Sequence, residues 1–258
     1  MNQAMKAIIK KDFRGVTGNR RLFVAMLIVP LVLTIVVPSI FIVSIHFAPD
    51  QADMDQLLKL LPGTADLEYA LYELFMNHIM PMFFLMIPIM SSSITAASSF
   101  VGEKEKRTLE TLLYCPLTLR QIFTAKVLAS FGLSMMVSLV SFLLMSVVLE
   151  TELFFITGSV VLPGINWVLI LFLVSPAISL IAVTLIVRGS AKAQSVEESQ
   201  QSAVFLVLPI VLLIGGQFTG LMLVNEGLLL GIGAVCAVLA WILLKRAVHR
   251  FDYERLLK

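Results

Sequence analysis

The chain has 258 residues, 59% of them hydrophobic, and a net charge of only +2. That apolar share exceeds the roughly 45–50% of an ordinary soluble domain, and the mean hydropathy is +0.96, which excludes a soluble protein with one anchor and implies an all-α integral membrane protein. The two cysteines, Cys115 and Cys236, form no C-x-x-C or Cys/His ligand spacing, which excludes a disulfide framework and a cysteine-based metal site.

Residues 2–21 open the chain as a basic amphipathic helix. Met5, Ile8, Ile9 and Phe13 fall at helical spacing, with Lys6, Lys10, Lys11 and Arg14 on the other side. Such a segment lies on the inner membrane surface with its lysines towards anionic headgroups. The following run, Leu22 to Phe47, is too long for the apolar stretch of a signal peptide and has no small-residue cleavage site. Six apolar runs are long enough to cross a bilayer, which takes about 20 residues. They fall near 22–46, 76–98, 122–148, 166–187, 202–224 and 227–244. With this count, Lys59 is the one residue among the 19 Lys and Arg to fall on the outer side. The acids Asp50, Asp53, Asp55, Asp66, Glu68, Glu73, Glu150, Glu152 and Glu226 gather there. The positive-inside rule then puts both termini in the cytoplasm.

The first outer loop, 48–74, carries helical periodicity over Met54–Leu61 and Leu67–Phe75 around a Pro62-Gly63 break, as a lid or a cap. In the second span Met82, Met86 and Met90 share one face. They serve either interhelical packing or a deformable pathway for varied hydrophobic substrates. The small residues that follow, Ser91 to Ser99, and Gly227, Gly231 and Gly233 in the last span mark seams of close helix packing, within one subunit or between two.

The charged break 99–121 is the informative stretch. Thr108 to Tyr114 has a two-turn helical pattern with Leu109, Leu112 and Leu113 on one face, preceded by Glu103, Lys104, Glu105, Lys106 and Arg107. Pro116 ends it, and Thr118 can cap the next helix. A solvated connector would explain the charges but not the leucines, which need lipid, the bundle or a partner protein to cover them. The connector 188–201 is polar and capable of forming a helix.

The pattern Phe100, Glu103, Lys104, Glu105, Thr108, Leu109, Glu110, Leu112, Leu113, Pro116, with Lys126 at the start of the next span, resembles the permease subunits of ABC type-2 exporters. The resemblance implies six transmembrane helices, an N-terminal surface (elbow) helix entering the first span through Asn19 to Pro30, and a cytoplasmic coupling helix between spans two and three. It implies two ATPase subunits that bind ATP and Mg in place of this chain, and a second permease subunit, identical or paralogous. Contacts with the ATPase would come from Glu103, Glu105, Thr108, Leu109, Glu110, Leu112 and Leu113, with a second, smaller contact from Glu197, Glu198 and Gln200. The three residues between the last two spans leave no room for the re-entrant helical pair that many members of the family carry there.

Several absences narrow the function. No Gly-x-x-x-x-Gly-Lys-[Ser/Thr] occurs, so the chain has no phosphate-cradling loop. A membrane protease of the Glu-Glu-x-x-x-Arg type fails because Ser202 stands at the arginine position and His46, His78 and His249 sit at span ends on opposite sides. No Asp, Glu, Lys or Arg lies mid-span, where proton-coupled carriers usually keep an ionisable group. The expected function is therefore that of a permease, not an enzyme, exporting a hydrophobic or amphipathic substrate across the plasma membrane. No nucleic-acid partner is expected. A secondary transporter or channel, and an immunity protein that sequesters a peptide, are the alternatives, but neither needs a docking helix at 103–116.

Overall fold

The computed structural model describes residues 3–47, 72–105, 108, 116–158, 163–190, 193, 195–201, 203–218 and 225–249. Helix α1 spans Gln3–Thr17, α2 spans Arg20–Leu31 and α3 spans Val37–Phe47. Then come α4 (Tyr72–Glu105), α5 (Leu119–Thr157), α6 (Ile165–Ser190), α7 (Val196–Gln201), α8 (Val204–Phe218) and α9 (Glu226–His249). No strand occurs among the described residues.

Five helical runs among the described residues are long and apolar enough to cross a membrane: α4, α5, α6, Val196–Gln217 and α9. They overlap the last five expected spans. The first expected span coincides with helical backbone from Arg20 to Phe47, in which Thr34–Ser44 is a shorter apolar helix. Several helices outrun their apolar stretches. Helix α4 continues through the charged residues to Glu105, so the first part of the break 99–121 is helix rather than loop. Helix α5 has 39 residues, about 58 Å at 1.5 Å per residue, nearly twice the hydrocarbon thickness. It starts on a capping box, with Thr118 Oγ1 accepting from the Gln121 amide at 3.3 Å and Gln121 Oε1 accepting from the Thr118 amide at 3.1 Å. It ends at Gly158, whose φ of 68° is open to glycine at little cost.

Three stretches widen into π-helix: Val32–Val36 between α2 and α3, Phe75–Ile79 in α4, and Ile170–Val174 in α6. Each ends two residues before a proline, respectively Pro38, Pro81 and Pro176. A proline lacks the N–H that would reach the carbonyl four residues back, and its ring collides with that carbonyl. A wider turn relieves the clash and leaves carbonyls to be met by other groups. In α4 they are met from across the bundle. Met76 O accepts from Trp167 Nε1 at 3.0 Å, Asn77 O from Asn166 Nδ2 at 2.9 Å and His78 O from Gln217 Nε2 at 3.1 Å. Asn77 is the residue four before Pro81. Asn77 Oδ1 also accepts from the Gly164 amide at 2.7 Å, tying down the start of α6.

Helices α4 and α6 form the centre. The apolar window of α4 is 83% buried, against 17% for α9. Trp167 packs edge-on to Phe84 and obliquely against Phe142 beside the buried Met80 and Met82. The seam between α4 and α5 is hydroxyl-rich. Ser91 and Ser134 hydroxyls meet at 2.9 Å, and Ser134 also bonds Pro88 O at 3.0 Å. Small side chains let the backbones approach, and the hydroxyls of Ser91, Ser134 and Ser138 are satisfied by carbonyls or each other. The glycine seam of the last helix is narrower than expected. A Cβ on Gly233 would come within 2.6 Å of Leu173, whereas Gly227 and Gly231 face open space.

Candidate functional site

The site sits where the C-terminal end of α4 and the N-terminal end of α5 meet, crossed by α1. Ile8, Asp12 and Val16 recur every four residues along α1 and are all buried, so one stripe of this otherwise basic helix faces the bundle. Ile8 packs with Ile122 and Ala125 of α5. Helix α1 stops at Gly18, whose amide bonds Arg14 O at 2.8 Å, and a Cβ there would sit 2.8 Å from that oxygen. The chain can then turn into α2.

This packing sets an acid into the bundle. Asp12 Oδ2 accepts from Ser99 Oγ at 2.6 Å. Lys126 Nζ donates to Ser99 O and lies 3.3 Å from Ser99 Oγ. The same ammonium is 2.7 Å from Glu103 Oε2 and 5.3 Å from the centroid of the Phe100 ring. Glu103 Oε1 accepts from Lys11 Nζ at 2.5 Å. Two lysines and two acids thus close a charge-balanced cluster joining three helices. Glu103 and Lys126 are 6% and 3% exposed, so their charges depend on each other rather than on water. Burial pushes the Asp12 carboxyl above the ordinary 3.8, opposed by Lys126 and by the Ser99 hydrogen bond.

Glu103 differs from expectation. The sequence pattern puts it among partner-facing residues, but its carboxylate is turned inward between Lys11 and Lys126. Helical continuation of α4 is the cause, because it carries position 103 onto the face that meets α1 and α5. Glu105 is exposed. The Thr108 amide and hydroxyl both donate to Glu103 O, at 2.9 and 3.3 Å, so the chain folds back over the end of α4. Leu109, Glu110, Leu112 and Leu113 lie outside the described residues.

The second connector joins this end. Lys104 Nζ donates to Ala193 O at 3.4 Å, and Val196 approaches Gly102. Helix α7 packs along α4, its first turn held by Ser195 Oγ accepting from the Glu198 amide at 3.1 Å. Glu197 and Glu198 are exposed and Gln200 is half-buried. The two connectors that the sequence treats separately are therefore neighbours at the base of the 106–118 segment. Of the methionines, Met82 is buried in the core, while Met86 and Met90 are half-buried.

Asp12, Lys11 and Ser99 are absent from the sequence-based site. One signal was present: Asp12 is the lone acid of α1 and falls in register with Ile8 and Val16. Lys126 and Glu103 were both visible as motif positions, but their pairing was not. No group of three or more His, Cys, Asp or Glu suited to a metal ion occurs among the described residues.

A family model described as "ABC-2 family transporter protein" matches residues 6–238. No curated protein and no solved structure is matched by the chain.

Proposed function

The chain belongs to the ABC-2 transporter family, and from that premise we propose that it is the permease subunit of an ATP-driven exporter. It is a membrane transport component rather than an enzyme, and permeases of this family in general work with ABC ATPase subunits. In the proposed assembly two ATPase subunits bind ATP and Mg, and two permease subunits, identical or paralogous, line the pathway. Six spans cross the plasma membrane with both termini inside, the first carried by Arg20–Phe47 and entered from α1 as the elbow helix.

The observation that carries this reading is the Lys11–Glu103–Lys126 cluster. It clasps α1, α4 and α5 where the segment between α4 and α5 emerges. A push on that segment is thus delivered to three helices together, which is what coupling to an external motor requires. Leu109, Leu112 and Leu113 would seat the coupling helix, with Glu105, Thr108 and Glu110 as its polar contacts. Glu197, Glu198 and Gln200 would extend the same docking surface. Glu103 would act inward, as the clasp. The absence of mid-span charges in the sequence suits a hydrophobic or amphipathic substrate moving outward past Met86 and Met90.

The test is purification of the tagged chain from its native membrane in mild detergent, beside a Glu110→Lys/Leu113→Asp variant. An ATP-binding protein is expected to co-purify with the wild type and to be lost from the variant. A folded wild-type preparation that brings down no nucleotide-binding protein would overturn the proposal.

A further inference from the structure

One face of α1 takes no part in the cluster. Lys6, Lys10 and Arg14 recur every four residues and are exposed, on the side opposite the buried Ile8, Asp12 and Val16. Among the described residues no carboxylate pairs with them. Ile9 and Phe13 run beside this row, and the five side chains line a groove of about 290 Å³.

We infer that this groove binds an anionic phospholipid of the inner leaflet. The phosphodiester sits against Lys6, Lys10 and Arg14, and the start of an acyl chain lies against Ile9 and Phe13. Three points select this occupant. Among the described residues the row of cations meets no counter-charge, so it calls for an anion. The apolar wall beside the cations suits an amphiphile, whereas a small soluble anion or an acidic protein surface would leave Ile9 and Phe13 wet. The chain passes from α1 through Gly18 and Asn19 directly into α2, whose apolar run begins at Leu22, which holds the groove at headgroup level.

Occupancy also has a route to the cluster. Lys10 and Phe13 flank Lys11 and Asp12, the two residues of α1 that reach Glu103 and Ser99. A lipid that fixes α1 fixes the clasp beneath the 106–118 segment. This last consequence rests on the proposed permease function, but the lipid site does not.

The test uses the purified full-length chain alone, without ATPase or ATP, and native mass spectrometry in detergent. The ligands are dioleoyl-phosphatidylglycerol, dioleoyl-phosphatidylcholine and inorganic phosphate. The wild type is expected to prefer phosphatidylglycerol. Lys6→Gln/Lys10→Gln/Arg14→Gln is expected to lose about 100-fold in affinity for it, and Lys10→Gln alone, which removes no buried contact, about fivefold. Lys245→Gln/Arg246→Gln, the same kind of change at the end of α9, is expected to lose less than about threefold on the same scale. Phe13→Ser is expected to weaken the lipid and leave inorganic phosphate unchanged. The inference is overturned if the triple variant unfolds like the wild type yet keeps its lipid affinity. Equal loss in the α9 control overturns it in favour of unspecific charge. Displacement of the lipid by inorganic phosphate at similar concentration overturns it in favour of a small-anion site. Unchanged lipid binding with loss of a co-purifying protein overturns it in favour of a docking face.

Discussion

Glu103 shows how much one side chain can link. It lies near the end of α4, receives Lys11 from α1 and Lys126 from α5, and its carbonyl takes both donors of Thr108. Buried charges of this kind are stable only as a set, because removing one partner strands the other where water cannot reach it. Lys126→Met is therefore expected to destabilise the protein by about 3–5 kcal/mol, and Glu103→Gln by a comparable amount. Glu103→Gln/Lys126→Met should cost clearly less than the sum of the two, since neither charge is then stranded. Thermal or SDS unfolding of the three variants in detergent measures this, and additive losses would mean that the pair is not coupled. The pattern in the sequence located Glu103 and Lys126 as significant positions. It could not show that they meet, because their contact depends on how far α4 extends past its apolar stretch.

At the scale of elements, the prolines organise the helices. Each π-helical stretch ends two residues before a proline, and in α4 the widened turn exposes three successive carbonyls that Trp167, Asn166 and Gln217 fill. Asn166→Leu takes from the part-buried Asn77 O the donor it has across the bundle and is expected to cost about 1–3 kcal/mol. In a Pro81→Ala background position 81 regains its N–H and can reach Asn77 O, so the same substitution should cost less. Unfolding of the two single variants and the double variant checks this, and an equal cost in both backgrounds would show that Pro81 is not the cause of the exposed carbonyl. Five of the six apolar runs coincide with long apolar helices, and the Thr118 cap was legible as well. The π turns were not identified, since proline marks where a carbonyl is freed but not what will satisfy it. Gly227 and Gly231 meet no neighbour among the described residues of the chain, so of the two seams the sequence allows, within one subunit or between two, only Gly233 marks the first.

For the whole molecule, charge sets orientation and packing sets rigidity. Helices α4 and α6 are enclosed, while α8 and α9 expose long apolar faces such as Phe205, Leu212, Val235 and Trp241. In a bilayer such faces are covered by acyl chains or by another membrane subunit. The proposed topology predicts that, in a background with Cys115 and Cys236 replaced by serine, Lys59→Cys reacts with a membrane-impermeant maleimide on intact cells. Glu105→Cys and Glu198→Cys should react only after permeabilisation. Labelling of all three from outside would refute the six-span arrangement with inner termini.

The amino-acid sequence by itself determined the solvent of this protein, its helical class, the approximate places where it can cross a membrane, and its resemblance to the ABC-2 permeases. These properties are local: hydropathy is summed along a window, charge asymmetry is counted loop by loop, and the motif lies within one stretch. Only the tertiary structure decided that Glu103 points inward, that Asp12 is drawn into the bundle, that the two polar connectors are neighbours, and which donors fill the carbonyls that Pro81 frees. Each of these joins residues distant in sequence, and each depends on which face a helix presents after its neighbours are packed. Periodicity narrows that face to a stripe, and burial of the remaining polar groups selects their partners.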